Sequence, residues 1–292
     1  AYEIYQCDWS SDVCSSDLGG AAGAVYDCVR KELGEAAESA DASVRVCGRV
    51  AGILDDAFAA LNFDIFEGPE ITSELYEFDH MNFPPDHPAR ESMDTYWLAG
   101  ANASGADRLC IRPHLTGASV RYMQRNTPPF RFVYPGRVFR NETTDARHER
   151  AFFQYEALMV EKHLPFSAGQ MMIRAVLSTV FGRPVNTRMR AGFFPFVEPG
   201  FEIDMECVIC NGAGCKVCKQ VGWIEVMPGG VPHPNVMRAG GINPDEWMGF
   251  YVNVGLDRLV MMRYGIDDVR LDRKSTRLNS SHTDISRMPS SA

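Results

Sequence analysis

The sequence predicts an α+β fold in which helices flank an antiparallel sheet. Segments with strand character follow each other through polar connections, as 131–140 and 151–162 do across the loop 141–150. Helical patterns are few and stand apart, as in 48–61, where apolar residues recur at 3.6-residue spacing. Runs of strands with separate helices favour this class over an alternating βα fold. A cluster of cysteines at 207–218 adds a small zinc knuckle to the prediction.

The composition is that of a globular protein. Of the 292 residues, 45% are hydrophobic and 23% are charged, which argues against disorder and against a disulfide miniprotein. The net charge of −9 excludes a general polyanion binder, so a nucleic-acid partner needs a local basic patch or another subunit. No run approaches the roughly 18 apolar residues of a membrane span.

The two ends differ from the rest of the chain. Residues 1–18 carry four acidic side chains, no basic one and no periodicity, and residues 273–292 hold six serines. Both ends resemble translated sequencing-adapter read-through, and two polar native tails are the alternative. We therefore expect 1–18 and 272–292 to be non-native, with the reading frame incomplete at both ends.

Four of the nine cysteines form one cluster, Cys207-x-x-Cys210 and Cys215-x-x-Cys218. Two CxxC pairs present four thiolates for a tetrahedral Zn²⁺, and the intervening glycines permit a tight turn. A redox or disulfide pair is the alternative. A catalytic zinc is disfavoured because four thiolates leave no open position. The predicted role of the metal is structural.

The predicted strand 151–162 places an amide and a carboxylate on one face. Side chains alternate along a strand, so Phe152, Gln154 and Glu156 share that face. These polar groups are costly to bury without partners. A water-facing edge is the alternative, which aromatic residues on both faces weaken. An aromatic ring, an amide and a carboxylate in line suit a ligand with an amine and a flat ring.

The preceding strand ends with Arg140 and Glu142 in phase. A guanidinium gives two parallel hydrogen bonds to a phosphate or carboxylate. A surface ion pair explains most such spacings. Here the pair opens a polar loop that includes His148, which favours a phosphate site.

Two further segments are candidates for ligand contact. Arg258 follows Gly255 into the first turn of a helix, where a cation opposes the helix dipole and so favours a ligand or acidic partner. Phe194 and Phe196 surround Pro195, and core packing is the alternative to an aromatic-lined pocket.

Taken in chain order, these residues resemble a known family. Gly68-Pro69-Glu70, Arg140-x-Glu142 and Gly-Leu-Asp-Arg258 are similar to the three motifs of class II aminoacyl-tRNA synthetases. Strings such as PPFRFVYPGRVFRNETTDARHE (128–149), FFPFVEPG (193–200) and HPNV (233–236) are closest to the alpha (catalytic) chains of bacterial phenylalanyl-tRNA synthetases. The resemblance covers about 48–271.

The resemblance implies a seven-stranded antiparallel sheet and a two-step reaction. ATP and phenylalanine form an adenylate with Mg²⁺, and the acyl group then passes to tRNA(Phe). It also implies a structural Zn²⁺, a cytoplasmic location and a beta chain in an α2β2 heterotetramer. Residues 19–47 are expected to be the remnant of an N-terminal helical region, and 48–271 the catalytic domain.

The resemblance also implies roles for individual residues, with Arg140 and Arg258 as the catalytic pair. The ATP-binding set is Arg140, Glu142, His148, Phe152 and Arg258. The amino-acid set is His114, Thr116, Gln154, Glu156, Phe194, Phe196 and Tyr251. The zinc ligands are Cys207, Cys210, Cys215 and Cys218, and the magnesium ligand is Glu198.

Two departures from the family pattern keep alternatives open. His-Thr-Ser-Pro appears as His114-Leu115-Thr116-Gly117, and Tyr251 stands where a small residue usually lines the pocket. Either change favours a related class II synthetase for another amino acid as the second hypothesis. A non-catalytic, zinc-containing tRNA-binding module is the third, and the absence of a basic stripe counts against it.

Overall fold

A computed structural model describes residues 41–90, 95–98, 108–141, 150–215 and 218–264, with side chains of the first helix described from residue 48. The helices are α1 Asp41–Ala60, α2 Gly117–Met123, α3 Phe166–Phe181, α4 Pro234–Ala239 and α5 Leu256–Tyr264. The strands are β1 Asp64–Ile65, β2 Ile71–Ser73, β3 Leu109–Ile111, β4 Phe130–Phe139, β5 Ala151–Glu161, β6 Thr187–Ala191, β7 Val197–Glu206, β8 Trp223–Pro232 and β9 Met248–Gly255. The predictions for the two ends lie outside the described residues, and so do residues 19–40 of the helical remnant expected at 19–47.

A seven-stranded sheet in the order β1-β4-β5-β9-β8-β7-β6 forms the centre of the fold. The strand pairs are antiparallel except β1 and β4, which run parallel. The expectation of a wholly antiparallel sheet was therefore wrong at this edge, where the short β1 follows α1 directly. Strands β2 and β3 form a separate antiparallel pair.

The predicted alternation along β5 is confirmed. Tyr155 and Met159 lie in the core cluster that α1, α3 and α5 cover, and Leu158 and Val160 lie in the cluster on the opposite face. The second cluster is covered by the shorter α2 and α4 and by the segment around Phe78. The sheet thus has one face sealed by long helices and one face that carries the candidate site.

Two segments differ from their predicted structure. The turn-rich sequence of residues 71–108 predicts surface excursions, but the segment includes the fully buried Phe78 and Met81. The string Pro228-Gly229-Gly230 predicts a loop, but strand β8 runs through both glycines. A Cβ at Gly230 would lie 2.5 Å from the Cβ of Val197, so glycine is needed here for close approach of β7.

None of the helices in the described part of the chain is long and apolar enough to cross a membrane.

Candidate active site

The candidate site follows a row of residues across the three central strands. Gln154 on β5 pairs with Gly136 on β4 and with Gly255 on β9. A Cβ at Gly255 would meet only the Cβ of Arg258, at 3.9 Å. A Cβ at Gly136 would lie 2.7 Å from Nη2 of Arg112, so Arg112 fills that side of the row. The Oε1 of Gln154 is buried and has no hydrogen-bond partner among the described residues. The row therefore offers an unpaired polar atom beside the bare backbone of Gly255.

Glu156 lies one step further along β5 and is held by two side chains. Asn253 Nδ2 and Thr116 Oγ1 donate to its Oε2, at 2.5 and 3.3 Å. Burial raises the pKa of Glu156 to about 8, against the lowering effect of these two hydrogen bonds. The carboxyl is therefore mostly protonated at pH 7, and a bound ammonium group would favour its ionised form.

Aromatic rings form the wall beside these polar groups. Phe196 lies 5.8 Å from Phe194, 6.4 Å from the His114 ring and 6.5 Å from Tyr251, measured between ring centroids. Burial and the charge of Arg140 lower the pKa of His114 to about 3, so the imidazole is neutral. Tyr251 is fully buried on this face. The predicted amino-acid residues thus come together in one place.

Arg140 and Phe152 lie together next to this row, where β4 ends and β5 begins. The guanidinium carbon of Arg140 is 5.1 Å from the centre of the Phe152 ring, and its Nε donates to the carbonyl of Pro113 at 3.3 Å. This arrangement places a cation over an aromatic ring. Glu142 and His148 lie outside the described residues.

The third motif is attached to β5 through Asp257. Its Oδ2 accepts a hydrogen bond from the Phe153 amide at 2.9 Å. The next residue, Arg258, is exposed, and its Nη1 donates to the Glu225 carbonyl at 3.0 Å. The start of α5 is therefore fixed beside the strand that carries Phe152.

Sequence reasoning missed Arg112, which joins the first motif to β4, the strand that leads into the second. Its Nη1 donates to the carbonyls of Gly68 and Pro69, both at 3.1 Å, and its Nε donates to the carbonyl of Arg137 at 2.5 Å. Its guanidinium also contacts the Tyr134 hydroxyl. The sequence signal was weak, because Arg112 precedes His114 with no motif of its own.

The cysteine knuckle has the geometry of a zinc site. The sulfur atoms of Cys207, Cys210, Cys215 and Cys218 all lie within 4.8 Å of one another. The separations Cys207–Cys215 and Cys210–Cys218 are both 3.8 Å. A tetrahedral ion with Zn–S bonds of about 2.3 Å places its sulfur atoms about 3.8 Å apart. The four residues are free cysteines, so the described sulfur atoms fit zinc better than a disulfide.

The backbone of the knuckle supports that interpretation. Cys210 Sγ accepts from Gly214 N and Cys218 Sγ from Gly222 N, both at 3.2 Å. Asn211 and Gly212 have positive φ, as do Lys219 and Gln220 after the second pair. The two CxxC turns therefore repeat one shape, and each directs amide hydrogens at a sulfur atom.

Glu198, expected to hold Mg²⁺, lies at the rim of the site. Its side chain is 74% exposed, and its Oε2 is 3.3 Å from His233 Nε2. One exposed carboxylate fits an ion that is held mainly by nucleotide phosphates and water.

A family model described as "tRNA synthetases class II core domain (F)" matches residues 33–277. The chain belongs to this family. The class II synthetase core accounts for the sheet and confirms the predicted fold class. Similar to the chain are the phenylalanine–tRNA ligase alpha subunits of Leptospira biflexa, 44% identical over 217 residues, and Pelodictyon phaeoclathratiforme, 44% identical over 223 residues.

The chain spans less than two thirds of these relatives. The matches cover 74% and 76% of this chain but 62% and 65% of the two alpha subunits. Two structures of pyrrolysyl-tRNA synthetase from Desulfitobacterium hafniense share the class II fold. One has a TM-score of 0.57 at 18% identity, covering 87% of this chain and 85% of that one. The other has a TM-score of 0.54 at 20% identity, covering 76% and 68%.

Proposed function

We propose that the chain is the catalytic part of the alpha subunit of a phenylalanine–tRNA ligase. In this proposal it activates phenylalanine with ATP to phenylalanyl-adenylate and transfers the acyl group to tRNA(Phe). The observation that carries the proposal is the row across β4, β5 and β9, which places Arg140 and Phe152 at one end and Gln154, Glu156 and the Phe194–Phe196 wall at the other. The names of the similar alpha subunits support the same substrate.

The proposed mechanism requires positioning and charge, with no covalent nucleophile. Arg140 would bind the α-phosphate and stabilise the charge that develops there as the amino-acid carboxylate attacks. Phe152 and Arg258 would enclose the adenine, and Gln154 and Glu156 would hold the ammonium group. Holding the two reactants in line supplies the rest of the acceleration. Glu142 and His148 remain predictions for the adenine end and the outer phosphates.

We infer that Zn²⁺ has a structural role and that Mg²⁺ is held mainly by the phosphates of the nucleotide. The four cysteine sulfurs would hold zinc, which supplies a cross-link between the end of β7 and the start of β8. Glu198 would contribute one ligand to a Mg²⁺ that neutralises phosphate charge. In this proposal the site residues that are not metal ligands contact ATP and the amino acid directly.

The proposal includes partners and location. An alpha subunit works with a beta chain, which we place in an α2β2 heterotetramer in the cytoplasm. The net charge of the chain is −9, which supports an assembly in which tRNA is bound mainly by other parts of the complex.

A related class II synthetase for another amino acid is the second candidate. The observation that favours it is Tyr251, whose ring is fully buried and stands at 87° to the ring of Phe196. A phenol at the floor of the pocket reduces the space available for a substrate ring.

ATP–pyrophosphate exchange across the twenty amino acids tests the proposal. The alpha chain is co-expressed with its beta chain, and the exchange rate is measured with each amino acid in turn. We expect phenylalanine to give the highest kcat/KM. Exchange with a different amino acid would establish the second candidate, and exchange with none would refute both.

We expect the affinity for phenylalanine to increase with pH up to about 8. The pKa of Glu156 is raised to about 8 by burial, so the carboxylate that pairs with the ammonium group is the minor form below that pH. Each pH unit below 8 should raise KM by up to about tenfold, and KM should level off above 8. The measurement is KM for phenylalanine in exchange from pH 6 to 8.5. Glu156→Gln should remove this dependence, and an unchanged profile would contradict the assignment.

A further inference from the structure

Glu77 is a buried acid next to the proposed amino-acid pocket, and no sequence motif includes it. It belongs to the π-helical turn Leu75–Asp79 and is 3% exposed. A buried carboxyl is costly unless it is paired or hydrogen-bonded. Its position therefore requires a partner.

The two guanidinium groups that act on Glu77 have other hydrogen-bond partners. Arg112 is bound to the carbonyls described above, and Arg121 Nη2 donates to Thr72 Oγ1 at 3.2 Å. Glu77 has a side-chain hydrogen bond with Thr72. Its Oε2 lies 3.3 Å from His114 Nδ1, and neither of these two buried atoms has a hydrogen-bond partner among the described residues. Glu77 is thus directed at one edge of the imidazole.

Gly117 provides the space that Glu77 occupies. A Cβ at position 117 would lie 2.3 Å from Glu77 Oε1 and 2.9 Å from the carbonyl oxygen of Tyr76. The acid at 77 and the glycine at 117 therefore pack as one unit. This unit accounts for the glycine in His114-Leu115-Thr116-Gly117 and holds the carboxyl against the segment that carries His114.

The faces of the His114 ring are held by other rings. Phe83 stacks on it at 5.9 Å with 8° between the planes, and Phe78 approaches edge-on at 6.2 Å. Such contacts restrict the tilt of the imidazole but do not determine which nitrogen carries the proton. That choice depends on the polar groups at the ring nitrogens, which are the carboxyl of Glu77 and the backbone of the same residue.

We propose that Glu77 is a positioning residue for His114: its carboxyl donates to Nδ1 and so places the imidazole proton on Nε2, facing the substrate. This inference rests on the proposed function. With its proton on Nε2, His114 would donate to an anionic oxygen of the amino acid or its adenylate, in the region that Arg140 also reaches. Burial raises the pKa of Glu77 to about 8 against the field of Arg112, which keeps the donating form at pH 7. The other groups whose charge acts on Glu77 or responds to it are Cys110, Arg121, Tyr134 and Glu156.

Glutamine at position 77 mimics the donating acid, and alanine removes it. In the alpha–beta complex at pH 7, we expect Glu77→Ala to lower kcat/KM for phenylalanine by about tenfold and Glu77→Gln by less than about threefold. In a His114→Asn background, Glu77→Ala should cause no further loss, because the effect passes through His114. Asp55→Asn is the matched control, a buried acid beside Tyr155 on the opposite face of the sheet, and it should leave kcat/KM unchanged.

The ¹⁵N spectrum of the His114 imidazole gives a readout independent of activity. We expect a single Nε2–H tautomer in the parent chain and in Glu77→Gln, and a mixture in Glu77→Ala. Equal losses from Glu77→Ala with and without His114, or an unchanged tautomer, would overturn the proposal. A parent complex without phenylalanine-dependent exchange would instead overturn the proposed function, and the tautomer measurement would still decide the role of Glu77.

Discussion

Arg140→Ala is expected to reduce phenylalanine-dependent ATP–pyrophosphate exchange by about 10²–10³-fold, the cost of removing one donor that stabilises transition-state charge. The guanidinium lies 5.1 Å from the centre of the Phe152 ring, at the end of the row where the phosphate of a bound nucleotide would lie. The loss should appear mainly in kcat, because the charge develops in the transition state. Steady-state exchange by the alpha–beta complex measures it.

Arg131→Ala is the matched control for this prediction. Arg140 directly follows β4, whereas Arg131 lies at the opposite end of that strand, where it pairs with Glu161 at 3.1 Å. Its removal should change exchange by less than about twofold, since a partly exposed ion pair contributes little. A comparable loss in both variants would indicate damage to the strand. Exchange retained in Arg140→Ala would contradict the assignment of Arg140 to the α-phosphate.

Cys218→Ser is expected to remove the bound metal and destabilise the chain. Zinc content should fall from about one ion per chain to about none, because binding free energy at a structural site is folding free energy. The unfolding temperature should fall by roughly 10 °C, given about 2–4 °C for each kcal/mol in a domain of this size. Metal analysis and thermal unfolding on the same samples measure both effects.

Cys110→Ala serves as the thiol control for the knuckle. Cys110 is fully buried in the core cluster on the candidate-site face, away from the four-sulfur group. Its substitution should lower stability modestly and leave zinc content unchanged. Zinc retained by Cys218→Ser, or absent from the parent chain, would contradict the assignment of the knuckle.

The strand patterns predicted the architecture because burial on a sheet imposes a two-residue period. The period around Gln154 and Glu156 correctly separated the two faces of β5, and the register places Tyr134 and Asn253 on either side of Glu156. The same reasoning failed at Gly229 and Gly230, where glycine usually indicates a turn. Close approach of β7 decided the structure there, and such an approach is not visible in local sequence.

The site was predictable where residues follow a strand or a motif. Phe152, Gln154 and Glu156 lie on β5, and Arg140 directly follows the adjacent β4, so their proximity followed from alternation and pairing. Arg112 and Glu77 were missed because their partners are distant in sequence. Arg112 bonds to Gly68, 44 residues away, and Glu77 contacts His114 from a turn that carries no motif.

The sequence by itself determined the class of fold, the zinc spacing and the family, because each depends on periods or motifs of a few residues. Only the tertiary structure decided which polar groups share a buried space. It placed Glu77 against His114 and Asn253 against Glu156, and burial then raised the pKa of both acids to about 8. The physical reason is that desolvation depends on everything that surrounds a group, and those surroundings come from separate parts of the chain.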